Sequence, residues 1–278
     1  MTTRIWHQSF TVLGDLPAYR ELLEARIRKV VRPDTEVVMH GQLPGTYSSD
    51  YPGADIRYRA LNWLHGLQWL TAALEAQRQG FDAMVLATIP SPLIGEIRTL
   101  VDIPVVGYGD TAFHLSGLYG RRVGLLFFNP NRGDYWPEQV REWGVSERFA
   151  GISPAGVSFA QVAGALADPA KRPAVIAAIR ATGERLVEEK GVDVIVPGEM
   201  PMNLLLAEEG VNRIGGATVI DGIATTFKMA ETMLDLKRLS GMEHSERGYF
   251  HDRPPAERVE QVLKFYGLDA LRQRIAKG

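Results

Sequence analysis

The feature that most constrains the fold is a stretch of eleven residues that occurs twice. GFDAMVLATIP at residues 80–90 and GVDVIVPGEMP at residues 191–201 share a glycine, an aspartate and a final proline at matching positions. In each copy an apolar run lies between turn-forming residues, a pattern typical of a strand that is buried on both faces. The duplication therefore predicts two similar halves, each built around such a strand.

Strands and helices alternate around both copies. Apolar runs predict strands at 4–10, 35–40, 82–87, 103–107, 122–128, 149–152, 192–197 and 217–220. Helical spacing predicts helices at 15–31, 64–74, 92–100, 135–143, 173–189, 202–209 and 225–239, with a polar C-terminal helix around 259–266. A further helix is expected after Asp110, where it carries His114. This order predicts an α/β fold with two similar α/β lobes, whose parallel sheets are related by a pseudo-two-fold axis with a ligand cleft between them. We expect residues 1–115 plus 222–278 to form the first lobe and residues 116–221 the second.

Composition excludes several classes of function. The formal net charge of −2 provides no basic field for nucleic acid or an anionic membrane. No run approaches the roughly 18 apolar residues of a membrane span, and the N-terminal MTTRIWHQSF lacks the pattern of a signal peptide. We therefore expect a cytoplasmic protein whose partner is a small-molecule substrate rather than nucleic acid or a membrane.

The sequence contains no cysteine, and this removes disulfides, thiolate metal sites and thiol nucleophiles together. Its six histidines do not show the spacing of metal ligands. Phosphate-binding, nucleophile-elbow and zinc-protease motifs are also missing. The sequence thus predicts an active site without a cofactor or metal ion.

Two polar residues follow the duplicated strands, Thr88 in one copy and Glu199 in the other. Ligands of open parallel sheets bind beyond the carboxyl ends of the strands. Each residue also precedes a predicted short helix, whose N-terminal N–H groups suit a carboxylate or an oxyanion. We expect both residues to face the predicted cleft. The alternatives are local: Thr88 as a helix N-cap, and Glu199 as a first-turn carboxylate that interacts with its own helix.

Four segments resemble the aspartate/glutamate/hydantoin racemase superfamily, and most of all its hydantoin racemase branch. They are LATIPSP (86–92), VDIPVVGYGDTAFHLSGLYG (101–120), VIVPGEMPM (194–202) and VIDG (219–222). The resemblance extends over nearly the whole chain and implies two lobes with a cysteine at each of the two strand ends. In that family the two thiols deprotonate and reprotonate the substrate carbon from opposite faces. Here Thr88 and Glu199 stand at the matching positions.

This departure changes the expected chemistry. A two-thiol racemisation needs cysteines, and the hydroxyl of Thr88 is too weakly acidic to act as a second base. Glu199 lies in an apolar setting beside Met200 and Met202, which suits a general acid or base. The leading prediction is a cofactor-independent enzyme in which Glu199 transfers a proton on a small carbonyl or carboxylate compound, as an isomerase or a decarboxylase/lyase, while Thr88 donates a hydrogen bond.

Two other functions are compatible with the same residues. A hydrolase would use Glu199 to activate water against a small amide, hydrazide or cyclic amide, with Thr88 helping to hold the oxyanion. A non-catalytic protein would only bind a small ligand at the same place. Isotope exchange at a substrate carbon and incorporation of oxygen from water distinguish these alternatives.

Further candidate contacts to the substrate lie near the predicted strand ends. Ser91 and Asn203 are placed in the first turns of the two short helices. His7 lies where the resemblance implies a polar residue that contacts the substrate, and Ser9 follows two residues later. A structural imidazole is the alternative for His7.

Tyr47 belongs to a long polar loop, GQLPGTYSSDYPGAD at residues 41–55, and is a candidate for closing over a ligand. A loop of this length is either a functional lid or mobile surface. The resemblance also implies a homo-oligomer. LNWLHGLQWL at residues 61–70 has more aromatic area than one helix face requires, which fits a subunit interface and fits core packing equally well.

Overall fold

The computed structural model describes residues 2–49, 51–89, 91–128 and 135–276, and the chain divides into two compact units. Unit 1 contains residues 1–13, 31–107 and 227–278, and unit 2 contains residues 14–30 and 108–226. Each unit has its own sheet with helices around it. The predicted α/β class is confirmed.

The two sheets share one order over four strands, and the sheet of unit 2 has a fifth strand at its edge. The strands are β1 (Thr3–Gln8), β2 (Thr35–His40), β3 (Ala83–Leu86), β4 (Val105–Gly107), β5 (Val123–Phe127), β6 (Phe149–Pro154), β7 (Val194–Pro197), β8 (Arg213–Ile214) and β9 (Ala217–Val219). Unit 1 has the order β2-β1-β3-β4 and unit 2 the order β6-β5-β7-β9-β8. All pairs are parallel except β8 with β9. The duplicated stretches supply β3 and β7, which occupy equivalent places beside the central strands β1 and β5.

Twelve helices surround the sheets in the part of the chain that the structure describes. They are α1 (Pro17–Val30), α2 (Gly53–Ile56), α3 (Arg59–Arg78), α4 (Ile94–Leu100), α5 (Tyr108–Ser116), α6 (Tyr135–Glu142), α7 (Phe159–Ala167), α8 (Arg172–Lys190), α9 (Met200–Glu208), α10 (Gly222–Ser240), α11 (Ala256–Phe265) and α12 (Leu268–Ile275). The sequence patterns did not predict α2, α7 or α12. A signal for α7 was present, because Ser158 and Gln161 form a capping box at its start.

The shared glycines and prolines of the duplicated stretch have backbone roles. Gly80 and Gly191 follow α3 and α8 with positive φ angles of 72° and 61°. A residue in this left-handed conformation commonly ends a helix, and glycine adopts it without a steric penalty. Pro201 lies in the first turn of α9, where a missing N–H costs no helical bond. Pro90 lies outside the described residues.

The shared aspartates fasten the start of the neighbouring central strand. The Asp82 carboxylate accepts a hydrogen bond of 2.7 Å from the N–H of Arg4 in β1. The Asp193 carboxylate accepts bonds of 2.9 and 2.7 Å from the N–H groups of Arg121 and Arg122, just before β5. The identical residues of the two copies therefore build the same sheet connection in each unit.

The unit boundaries differ from the predicted lobes in three segments. Residues 14–30, 108–115 and 222–226 were predicted in the first lobe and lie in unit 2. The first of these segments carries α1, which packs against α7 and α9, and the second carries α5, which packs against β7. Helix packing, which local sequence patterns do not reveal, determines this assignment.

The aromatic segment of α3 is divided between core and surface. Trp69 is fully buried in the core of unit 1, together with Trp6 and Met84. Trp63 and Leu64 each keep 51% of their surface exposed. Core packing therefore accounts for only part of this segment. Among the described residues, no helix is both long and apolar enough to span a membrane.

Candidate active site

Gly198 determines how the chain leaves β7. Its N–H donates a hydrogen bond of 2.5 Å to the carbonyl oxygen of Leu126 in β5. A Cβ at this position would lie 3.0 Å from the Cβ of Phe127 and still closer to the Leu126 oxygen. Glycine is therefore the residue that lets the end of β7 lie against β5, and Glu199 follows directly.

Glu199 is the N-cap residue of α9 and has an extended backbone, with φ −143° and ψ 137°. Its side chain makes no capping hydrogen bond to α9, while its place at the start of that helix stays compatible with the alternative of a carboxylate that interacts with the helix dipole. Its Oε1 accepts a bond of 3.3 Å from the N–H of Phe128, the residue that follows β5. The half-buried carboxylate lies at the carboxyl edge of the sheet of unit 2, as predicted; its catalytic role stays a prediction.

Asn203 lies one turn into α9, and its side chain is engaged by the protein. Its Nδ2 donates to Asp221 Oδ1 at 3.1 Å, and its Oδ1 accepts from the N–H of Gly222 at 2.7 Å and from the hydroxyl of Tyr108 at 3.2 Å. These bonds occupy both ends of the amide. They give Asn203 a structural role, and its predicted contact with a substrate stays a prediction.

Tyr108, at the start of α5, was not singled out from the sequence although it belongs to a segment that carries the family resemblance. The side chain is fully buried, and its hydroxyl donates to the carbonyl oxygen of Pro197 at 2.6 Å. Burial raises the pKa of Tyr108 well above its usual value, and the negative charges of Asp221 and Glu199 add to this shift. The hydroxyl therefore stays protonated and acts as a donor.

A cavity of about 240 Å³ lies beside this network in unit 2. Arg26, Asn203 and Asp221 contribute its polar wall. The two charges neutralise each other, because Arg26 Nη2 contacts Asp221 Oδ2 at 2.5 Å. Across the described ranges, no three histidine, aspartate or glutamate side chains come together as a metal site would require.

Thr88 lies at the corresponding edge of the sheet of unit 1. It follows Ala87, whose N–H donates to the carbonyl oxygen of Gln8 at 2.9 Å, so Thr88 and Ser9 follow the ends of neighbouring strands. Thr88 is half-buried, and its carbonyl oxygen accepts a 3.2 Å bond from the hydroxyl of Ser91. The structure thus brings Thr88 and Ser91 together.

The helix after Thr88 starts later than predicted. It begins at Ile94 with Leu93 as its N-cap residue, so the alternative of Thr88 as N-cap is wrong and Ser91 precedes the first turn. Leu93 has a left-handed backbone, with φ 61°. Pro92 disfavours a helical conformation at the preceding Ser91. The chain therefore makes a turn first, and the helix begins after it.

Ser9 and Tyr47 are held by local hydrogen bonds. The Ser9 hydroxyl lies 2.7 Å from that of Thr11 and accepts from the Thr11 N–H at 3.1 Å. Tyr47 donates to the carbonyl oxygen of Phe10 at 2.7 Å, and burial raises its pKa. Leu43 in the same loop donates its N–H to Gln68 of α3 at 2.9 Å. This part of the loop is therefore fastened to the body of unit 1, and closure of Tyr47 over a ligand would require these bonds to break.

His7 lies in the middle of β1 and is fully buried. Its ring faces Phe227 of α10 at a centroid distance of 6.3 Å. Among the described residues, neither ring nitrogen has a hydrogen-bond partner, so the alternative of a satisfied structural imidazole is not met. Burial, together with the charge of the neighbouring His40, lowers the pKa of His7 to about 3. Any substrate contact of His7 would therefore involve a neutral ring.

The buried His7 predicts a loss of stability in mild acid. Above its unfolded pKa of about 6.5 the ring is neutral in both states. Below this pH the unfolded chain gains a proton that the folded protein does not take up until about pH 3, so stability falls with pH across this window. Between pH 7 and pH 5 we expect His7 to account for a loss of about 2 kcal/mol.

Denaturant unfolding of His7→Gln at both pH values measures this contribution. The free energy of unfolding should fall between pH 7 and pH 5 by about 2 kcal/mol less in His7→Gln than in the wild type. His251→Gln, the same substitution at an exposed position, should leave the difference unchanged. An unaltered pH difference in His7→Gln would show that the folded protein protonates His7 readily.

Comparisons with known proteins agree with this architecture. A family model described as Asp/Glu/Hydantoin racemase matches residues 17–230. Hydantoin racemase of Pseudomonas sp. (strain NS671) is 28% identical over 165 residues, which cover 58% of this chain and 62% of that protein. The match thus spans less than two thirds of the length of this relative.

Two solved structures show the same fold. Allantoin racemase from Pseudomonas fluorescens superposes with a TM-score of 0.73 at 20% identity, covering 91% of this chain and 97% of the other. A more distant match is a mutant of arylmalonate decarboxylase, with a TM-score of 0.50 at 15% identity, covering 90% of this chain and 100% of the other. At these identities the likeness concerns the fold alone.

Proposed function

The chain belongs to the Asp/Glu/hydantoin racemase family, and we propose that it is a cofactor-independent enzyme that transfers a proton on one face of its substrate through Glu199. The substrate is a small compound with a carbon acid beside a carbonyl or carboxyl group. The position of Glu199 carries this proposal. Its carboxylate lies at the carboxyl end of β7, bonded to the N–H of Phe128 rather than to its own helix.

The proton transfer has two forms with a common intermediate. In an isomerase, the Glu199 carboxylate takes the proton of the carbon acid and the electron pair moves to the carbonyl oxygen. Return of a proton from Glu199 to the same carbon gives hydrogen exchange only, whereas its return to another atom of the delocalised enolate, on the same face, gives the isomer. In a decarboxylase, the bond to a substrate carboxylate breaks, carbon dioxide leaves, and Glu199 gives a proton to the carbon of the resulting enolate. Thr88 is proposed to donate a hydrogen bond to the oxygen that gains negative charge.

A single acid/base on one face has a stereochemical consequence. The proton returns to the face from which it left, so the substrate carbon exchanges hydrogen with water while its configuration is retained. In a racemase with two thiols, hydrogen exchange at the substrate carbon is accompanied by inversion of its configuration. The absence of cysteine from the sequence therefore predicts exchange without racemisation.

Hydrogen exchange in D₂O tests the proposal. The names of the relatives suggest allantoin and single enantiomers of 5-substituted hydantoins as probes, with a substituted arylmalonate for decarboxylation. We expect loss of the carbon-bound proton signal above the spontaneous rate, with retained configuration, or release of carbon dioxide from the malonate. Proton NMR and chiral chromatography record both results.

Other outcomes would identify a different function. Equal rates of hydrogen exchange and of inversion of configuration would require two bases and contradict the one-sided mechanism. Oxygen-18 from water in a product carboxylate would indicate hydrolysis. Tight binding of a hydantoin without exchange or turnover would indicate a binding protein.

We also propose a homo-oligomer that buries the exposed apolar residues of α3. Trp63 and Leu64, together with Tyr58 before the helix, each keep 51% of their surface exposed. Large aromatic residues are enriched in protein interfaces. Light scattering should give a multiple of the 30.8 kDa subunit mass for the wild type and a lower mass for Trp63→Glu. Leu118→Glu, at a position with 80% exposure in unit 2, serves as the control; an unchanged mass of Trp63→Glu would contradict this interface.

A further inference from the structure

We propose that Tyr108 is a positioning residue for Glu199: its buried hydroxyl fixes the end of β7 and so aligns the carboxylate that transfers the proton. The inference rests on the proposed function of Glu199 and adds a residue that does not touch the substrate. The contacts that support this role of Tyr108 all lie within unit 2.

The first step is the bond from Tyr108 to the strand end. Its hydroxyl donates to the carbonyl oxygen of Pro197 at 2.6 Å. This oxygen belongs to the peptide group that joins Pro197 to Gly198, directly before Glu199. The same peptide N–H donates to Leu126 of β5. One peptide group is therefore held on both sides, by a tyrosine hydroxyl and by the neighbouring strand.

The second step is what holds Tyr108. Its hydroxyl also contacts Asn203 Oδ1 at 3.2 Å. Asn203 in turn donates to Asp221, and its backbone N–H donates to the carbonyl oxygen of Glu199 at 3.0 Å. The network thus reaches Glu199 by two routes, through Pro197 and through the first turn of α9.

The third step is that the ring of Tyr108 has no room to move. A Cβ at Gly222 would overlap this ring, which shows how closely the start of α10 packs against it. Burial keeps the hydroxyl protonated, so it remains a donor across the working pH range. A rigid ring with a permanent donor suits the fixing of a backbone carbonyl.

Tyr108→Phe tests the inference, because it removes only the hydroxyl and keeps the packed ring. With a single enantiomer of a 5-substituted hydantoin in D₂O, we expect kcat for exchange to fall about tenfold to a hundredfold, since small displacements of reacting groups have effects of this size. KM should change less than about threefold, because uniform binding is not lost. The amide proton of Phe128, which bonds to Glu199, should exchange at least about tenfold faster with water, reflecting more frequent local opening.

Ser116→Ala is the matched control. Ser116 lies on the same helix as Tyr108, is fully buried, and donates its hydroxyl to the carbonyl oxygen of Phe113 at 2.6 Å. The same hydroxyl accepts a bond of 3.2 Å from Arg148 Nη1, so the alanine variant loses two hydrogen bonds at the far end of α5, as Tyr108→Phe loses its contacts with Pro197 and Asn203. Its melting temperature should fall about as much as that of Tyr108→Phe, while kcat and exchange of the Phe128 amide stay within about twofold of the wild type.

The outcomes separate the two proposals. If Glu199→Gln abolishes exchange but Tyr108→Phe keeps the wild-type kcat, the positioning role of Tyr108 is wrong and the function of Glu199 stands. If Ser116→Ala loses as much kcat as Tyr108→Phe, the effect is one of general stability and the inference is overturned. If Glu199→Gln exchanges the hydantoin proton at the wild-type rate, both proposals fail.

Discussion

Replacing Glu199 with glutamine is expected to lower the rate of substrate hydrogen exchange by about a hundredfold to ten-thousandfold, the usual contribution of a general acid or base. Glutamine has nearly the same shape and can still accept the bond of 3.3 Å from the Phe128 N–H. The strand end should therefore keep its structure while the group that exchanges protons is lost. Proton NMR in D₂O with a 5-substituted hydantoin measures the rate.

Glu209→Gln is the control for this substitution. Glu209 caps the other end of α9 and pairs with Arg172 at 2.9 Å. The same chemical change there should leave the exchange rate within about twofold of the wild type, since exposed ion pairs contribute little. Affinity for the hydantoin, measured by calorimetry, should be retained in both variants. Full exchange activity in Glu199→Gln would place the base elsewhere.

Gly198→Ala is expected to have the largest effect on stability, with a loss of about 2–3 kcal/mol in the free energy of unfolding. The new methyl group would meet the Leu126 carbonyl oxygen and the Phe127 Cβ, and these backbone-anchored atoms cannot rotate away. The end of β7 must therefore separate from β5. Because Glu199 is the next residue, exchange activity should fall together with stability.

Gly164→Ala provides the matched comparison. Gly164 lies within α7 of the same unit, and only the flexible Lys171 side chain comes within 4 Å of a Cβ built there, at 3.9 Å. Alanine in the interior of a helix is favoured over glycine by about 0.5–1 kcal/mol, so this variant should be more stable than the wild type. Urea unfolding measures both variants. If Gly198→Ala were as stable as the wild type, β7 would tolerate a shift away from β5.

Much of the fold could be predicted because residues within the duplicated stretch determine a strand and its connection to the neighbouring strand. A buried apolar run of four residues gives β3 in one unit and β7 in the other, and the aspartate before it fastens the adjacent central strand, β1 or β5. These features are local in sequence, so a reader of the sequence can find them. The position of Glu199 at a strand end follows from the same pattern.

The network behind Glu199 could not be predicted, because its members are distant in sequence. Tyr108 and Pro197 are separated by 89 residues and meet only through tertiary packing. For the same reason the sequence did not reveal the hydrogen-bond partners of Asn203, which lie on α5 and α10. The late start of α4 reflects the left-handed Leu93, a conformation that a leucine in the sequence does not announce.

The division of the chain between the units has a consequence for biosynthesis. The segments of unit 2 end at residue 226, whereas unit 1 also needs residues 227–278. Although unit 1 contains the earlier β1 and β3, the ribosome delivers the last segment of unit 2 first. Unit 2, which contains Glu199 and Tyr108, is therefore the first unit that can fold completely during translation. Unit 1 can be completed only after α10 and α12 have been synthesised.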